Sequence, residues 1–190
     1  MFFLARPTAD RIGEFLKQRE SDKFSYSAVG ATHDPSPPAG FNIDHNRQLL
    51  GHGRELFEKA KIAVHRWNMF EVPDLTLYNS DMPIEVGRNV ALLAHHPGFW
   101  SLNSCRVVYV IDEPQRFGFA YGTLTEHLES GEERFTVEFH VDSGEVWYDI
   151  YAFSRPASLL VKLGYPYSRY KQKQFAVGSK SAMLKAIEDE

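Results

Sequence analysis

The chain is 190 residues long, 43% apolar, 24% charged and 14% aromatic, with a formal charge of −4. That length and balance fit one folded domain with a buried core and exclude a disordered chain. No apolar run approaches the ~18 residues that cross a bilayer as a helix, so no transmembrane segment is expected.

Met1-Phe2-Phe3-Leu4 is too short for a signal-peptide core and meets Arg6-Pro7 at once. Thr8 is placed to cap a helix in which Ile12, Phe15 and Leu16 recur at helical spacing, so residues 1–23 read as an N-terminal helical segment. Residues 24–86 are mixed. Positions 24–29 read as a short strand, and the proline-rich stretch 31–41 as a loop. Positions 51–67 read as a helix with Leu56, Phe57, Ala60, Ala63, Val64 and Trp67 on one face and Gly51 and Gly53 at its start. Positions 73–85 read as a strand and a turn.

From Gly87 the pattern changes to period two, and residues 87–154 read as a meander. Strands are predicted at 89–95, 104–112, 116–127, 133–141 and 145–154. They are separated by His96-Pro97-Gly98, Glu113-Pro114-Gln115, Glu129-Ser130-Gly131 and Asp142-Ser143-Gly144. Connections this short force antiparallel neighbours. Residues 155–190 read as helices: Pro156 in a first turn, Leu159, Leu160 and Leu163 as a stripe, and a break at Gly164-Tyr165-Pro166. A helix over 167–187 follows, with Phe175, Ser179, Ala182, Met183 and Ala186 on one side and Gly178 as a weak point. The class is α+β. A curved antiparallel sheet closed by a long C-terminal helix resembles the helix-grip architecture of START and Bet v 1-like proteins.

Three blocks, "GFNIDHNRQLLGHGRELFEKAK", "GTLTEHLESGEERF" and "GEVWYDIYAFSRPASLLVKLGYPYSRYKQKQF", are similar to uncharacterised protein family 0548 of bacteria and plants. The similarity runs over 24–187. It implies a domain of unknown function and brings no catalytic residue with it.

Charge is unevenly placed. Between Arg155 and Ile187 lie seven basic residues and no acidic one, which leaves fourteen basic against twenty-five acidic residues elsewhere. Such a split suits either a helix balancing an acidic sheet or a surface that meets an anionic membrane or partner. The net acidic chain carries no RNA-module signature, and no nucleic acid is expected. The eight histidines have no zinc-site spacing, and Gly51-x-Gly53 lacks a preceding strand and a third glycine, so neither a metal nor another cofactor is expected. The one cysteine, Cys105, excludes an intramolecular disulfide and points to a reducing, cytoplasmic setting; in its apolar strand it reads as core.

Two strands carry candidate sites. In 116–123, Gly118, Ala120 and Gly122 share one face and leave a trough for a helix or a ligand. In 145–154, Asp149 shares a face with Trp147 and Tyr151, where a carboxylate must be paired, hydrogen-bonded or neutral. Arg134 and Arg155 are its candidate partners. Arg155, before Pro156 at the start of a helix, also suits the acidic head of a ligand. Glu126, His127 and Glu133 converge on one hairpin, where a walled-off Glu-His cluster would do acid–base work. Three functions follow. The first is a binding domain for a small apolar or amphipathic molecule between sheet and C-terminal helix, lined by the trough, Trp147 and Tyr151 with Arg155 or His127 as polar handle. The second is a lyase, cyclase or hydrolase using Glu126, His127 and Glu133. The third is an interaction module docking its basic helix on an anionic surface.

Overall fold

Alternating strands dominate the computed structural model, which describes residues 1–33, 38–125, 127–157 and 164–188. The strands are β1 (Phe2–Phe3), β2 (Asn42–His52), β3 (Leu75–Tyr78), β4 (Asn89–His96), β5 (Phe99–Glu113), β6 (Arg116–Thr123), β7 (Glu129–Phe139) and β8 (Glu145–Pro156). They form one antiparallel sheet in the order β2-β8-β7-β6-β5-β4-β3, with β1 paired to the start of β5. Strands β4 to β8 are the predicted meander. The helices are α1 (Ala9–Gln18), α2 (Arg54–His65) and α3 (Tyr165–Glu188).

Strand register sorts side chains onto two faces. Phe117, Phe119 and Tyr121 of β6, Phe135 and Val137 of β7, and Val146, Tyr148 and Ile150 of β8 point inward. There they form one core with Phe57, Ala60 and Val64 of α2 and Met183 and Ile187 of α3. The Tyr148 hydroxyl bonds Ser179 of α3 at 2.8 Å. This is the helix-grip arrangement, an inner sheet face closed by a long C-terminal helix. Gly178 lets α3 approach closely, because a Cβ there would lie 2.6 Å from Val72 Cγ1. Helix α3 buries Ala176, Ser179, Met183 and Ile187, a stripe rotated slightly from the predicted one. Leu159, Leu160 and Leu163 lie outside the described residues.

The outer face has two covers. Thr8 caps α1, which seats Ile12, Phe15 and Leu16 on Ala91, Leu93 and Leu102 of β4 and β5. The segment 24–33 straps the other strands. Only Phe24 of the predicted strand makes a bridge, to Leu124. The strap is held by Glu132 of β7, which is 2% exposed. Its carboxylate accepts from the Tyr26 hydroxyl at 2.7 Å, the Gly30 amide at 2.7 Å, the Thr32 amide at 2.9 Å and the Thr32 hydroxyl.

Two elements differ from the predicted ones. Strand β2 was not anticipated, because its Asn, Asp, His, Arg and Gln side chains give no apolar alternation; as an edge strand it pairs only β8. It precedes Gly51-x-Gly53, but as an antiparallel edge and not as the parallel strand of a dinucleotide site. Glu129-Ser130-Gly131, predicted as a turn, belongs to β7 and pairs with Pro156, Arg155 and Ser154. Gly131 is there for close approach, since a Cβ would fall 2.0 Å from the Phe153 carbonyl oxygen.

Replacing Glu132 with alanine removes the acceptor of the Gly30 and Thr32 amides and of the Tyr26 hydroxyl, while the Thr32 hydroxyl keeps Tyr109 at 2.7 Å. Glu132→Ala is expected to lose ~3 kcal/mol or more in denaturant unfolding and to expose the Gly30 and Thr32 amides to rapid hydrogen exchange. Unchanged exchange at both amides would refute the anchoring role.

Candidate functional site

One rung of the sheet runs Asp44, Ala152, Glu133, Tyr121 across β2, β8, β7 and β6 on the inner face. Gly131, Ala152 and Ser154 keep this part of the floor low beneath the first turns of α3. Ala152 and Glu133 retain accessible surface there, while Phe135 and Tyr148 a rung or two away are sealed at 0% exposure. Glu133 is the central polar group of this half-buried part of the inner face. Its Oε2 accepts a hydrogen bond from the Tyr121 hydroxyl at 2.9 Å. Burial pushes the Glu133 carboxyl up to about 7; the Tyr121 bond pulls it down and the Asp44 charge raises it further. Cys105 is fully buried, and burial together with Glu133 holds its thiol well above the ordinary value, so it stays an unreactive thiol.

At the start of β7, burial pushes Glu129 up to about 6, against the downward pull of Arg169 and Ser168. Its covered oxygens receive no well-formed hydrogen bond among the described residues. Helix α3 is clamped over this region on two sides. Arg169 binds Asp44 with both terminal nitrogens, Nη2 to Oδ1 at 2.6 Å, and reaches Gln172 Oε1 at 2.7 Å. The Tyr167 hydroxyl meets His96 Nδ1 at 3.0 Å, and His96 Nε2 meets Ser101 Oγ at 2.8 Å. Arg169 is thereby committed to Asp44, and Glu133 has no ion-pair partner among the described residues.

Of the predicted acid–base cluster, the described residues His127 and Glu133 are not joined. Glu126 lies outside the described residues. His127 Nδ1 accepts from the Glu129 amide at 3.0 Å, and burial lowers its pKa to about 4, leaving the ring neutral. No hydrogen bond or ion pair joins His127 to Glu133.

The predicted ligand-lining set is also corrected in place. Gly118, Ala120, Gly122, Trp147, Asp149 and Tyr151 share the outer face, away from α3, because their inward neighbours fill the core. The trough is occupied by protein: a Cβ at Gly122 would fall 2.0 Å from the Tyr26 hydroxyl, and one at Gly118 2.0 Å from the Phe135 carbonyl oxygen. Asp149 is 3% exposed and bound by Arg134 at 2.9 Å, His45 at 2.6 Å and Arg47 at 3.3 Å. Tyr151 lies under Arg134 and meets His45 edge to face, and Trp147 lies under Arg47. Of the two candidate partners Asp149 takes Arg134. Arg155 lies instead over the Phe41 ring at 4.4 Å.

Tyr121, Asp44, Ala152, Glu129 and Arg169 were not singled out from the sequence as site residues. The one local signal was Glu132-Glu133, adjacent carboxylates that a strand must send to opposite faces.

Residues 25–182 match the family described as a domain of unknown function, DUF1990. The chain belongs to that family. A UPF0548 protein of Dictyostelium discoideum is 35% identical over 98% of this chain and 96% of its own length. The UPF0548 protein At2g17695 of Arabidopsis thaliana is 40% identical over 78% of this chain and 74% of its own. The resemblance seen in the three sequence blocks is therefore real, and it extends beyond bacteria and plants. Among solved structures, hypothetical protein jhp0584 of Helicobacter pylori shares the fold of this DUF1990 chain at a TM-score of 0.51 and 14% identity, over 81% of this chain and 89% of that one.

The raised Glu133 pKa makes a signed prediction. The folded state holds a proton on Glu133 that the unfolded chain releases near its ordinary 4.5. Its contribution to stability is therefore full below pH 4.5 and is lost as pH rises through about 7. His127, depressed to about 4, contributes the opposite slope below its ordinary 6.5. Comparing wild type with Glu133→Gln cancels His127. The glutamine variant should gain on wild type by on the order of 2 kcal/mol between pH 5 and pH 8 in urea unfolding. Parallel stability curves would refute the assignment.

Proposed function

We propose that the chain binds a small amphipathic molecule in a recess between the sheet and α3. Its apolar body rests on Ala152, Tyr121 and Phe175, and its polar group meets Glu133. The observation that carries this reading is Glu133 itself, a half-buried residue whose carboxyl has one hydrogen bond and no ion-pair partner among the described residues. Near neutral pH such a group exists in both forms. Protonated, it donates to a carbonyl or hydroxyl; ionised, it accepts from a donor. Pockets for small ligands have this composition, mostly apolar walls with a few placed polar groups.

A second reading rests on the same residue. A carboxyl at about 7 is matched to proton transfer near neutral pH, so Glu133 suits the general acid–base role in a lyase, cyclase or hydrolase. His127, neutral and turned to the backbone, is not its partner.

Ala152→Trp tests occupancy directly, because the indole would fill the floor. Binding of the neutral dye Nile red, read by fluorescence, should fall about tenfold or more, with the melting temperature held within a few degrees. Equal dye binding in the two proteins would remove the recess as the binding site. Glu133→Gln should keep dye binding and remove any proton-transfer activity, which separates the two readings.

A further inference from the structure

A second cavity, of about 800 Å³, opens at the end of the sheet where β7 begins and β8 ends. It is lined by Thr125, His127, Ser130, Arg155 and Tyr165 among others, and it carries no acidic side chain among the described residues. We propose that this cleft is an anion site in which Arg155 grips a carboxylate or phosphate group.

Four observations support the assignment. The Arg155 side chain makes no hydrogen bond or ion pair with any described residue, whereas Asp149, six residues earlier on the same face of β8, is already bound by Arg134, His45 and Arg47. The guanidinium lies over the Phe41 ring at 4.4 Å, and its N–H groups are left for a planar, two-oxygen acceptor. The hydroxyls of Thr125 and Tyr165 line the same space without a hydrogen-bond partner among the described residues, and supply further donors. Register places the arginine firmly, because Arg155 pairs directly with Ser130 and Ser130 is tied through its hydroxyl to the Ser25 carbonyl at 3.0 Å. The site stands apart from the Glu133 recess, and neither depends on the other.

Titration of the full chain with inorganic phosphate and with acetate, at constant ionic strength in chloride, reads the site by amide chemical shifts. Saturable shifts should cluster at Thr125, Ser130, Arg155 and Ala157. Arg155→Ala should weaken phosphate binding about tenfold or more, and Arg155→Lys, which keeps the charge but loses the fork, by an intermediate factor. Because Arg155 is exposed, both variants should melt with wild type. Absence of saturable shifts, or equal affinity in wild type and both variants, would overturn the proposal. Vesicles of phosphatidylglycerol, against phosphatidylcholine, identify the source. Sedimentation with the anionic vesicles that is lost in Arg155→Ala assigns the phosphate to a lipid headgroup. Phosphate binding without sedimentation assigns it to a soluble ligand.

Discussion

Two adjacent glutamates on β7 divide the molecule. Because a strand alternates its side chains, Glu132 must enter the outer face and Glu133 the inner one. A carboxylate removed from water needs donors, and Glu132 receives a full set from the strap. Glu133 receives one, from Tyr121. The same residue type, one position apart, is a structural anchor on one side and an open chemical group on the other. The difference lies in what covers each face: a strap of backbone amides and hydroxyls outside, an aromatic wall and a small-residue floor inside.

The outer face pairs its other buried carboxylate, Asp149, in the same way. Arg134 ties the strap to the sheet by reaching the Thr32 carbonyl at 2.8 Å and Asp149 at 2.9 Å. Removing one partner would strand charges in a nearly sealed layer, so the network is held together by mutual need more than by net attraction. The inner face is organised differently. Arg169 to Asp44, Tyr167 to His96, Gln172 to Ser154 and Tyr148 to Ser179 tie it to α3, and none of these bonds engages Glu133. The basic run of the C-terminal segment is thus partly internal in purpose, with Arg169 on Asp44 and Lys171 3.8 Å from Asp74 of the loop before β3.

Much of the fold was legible. The apolar spacing of Ile12, Phe15 and Leu16, the stripe from Leu56 to Val64 and the alternation from Arg116 to Ser154 each express a local period, and each produced the element expected. Strand β2 was not legible, because an edge strand needs no apolar alternation and its polar residues are stabilised by pairing with β8. Gly131 misled for a related reason: a glycine that turns a chain and a glycine that admits a neighbouring backbone look alike in one dimension. The site was legible only in part. Glu133 was marked as a candidate, but its companions come from β2, β6, β8 and α3 and share no local motif.

What the sequence determined by itself was the set of elements and which residues of each strand travel together, since both follow from periods of two and 3.6 that a single segment displays. The tertiary structure alone decided which of a strand's two sides meets α3. That choice turned Gly118, Ala120, Gly122 and Asp149 outward and brought Glu133 and Tyr121 inward. It also decided partners far apart along the chain, such as Asp149 and His45 at a separation of 104 residues. Facing and pairing depend on the register of β2 against β8 and on where the covering helix lies, and no local stretch of sequence contains either.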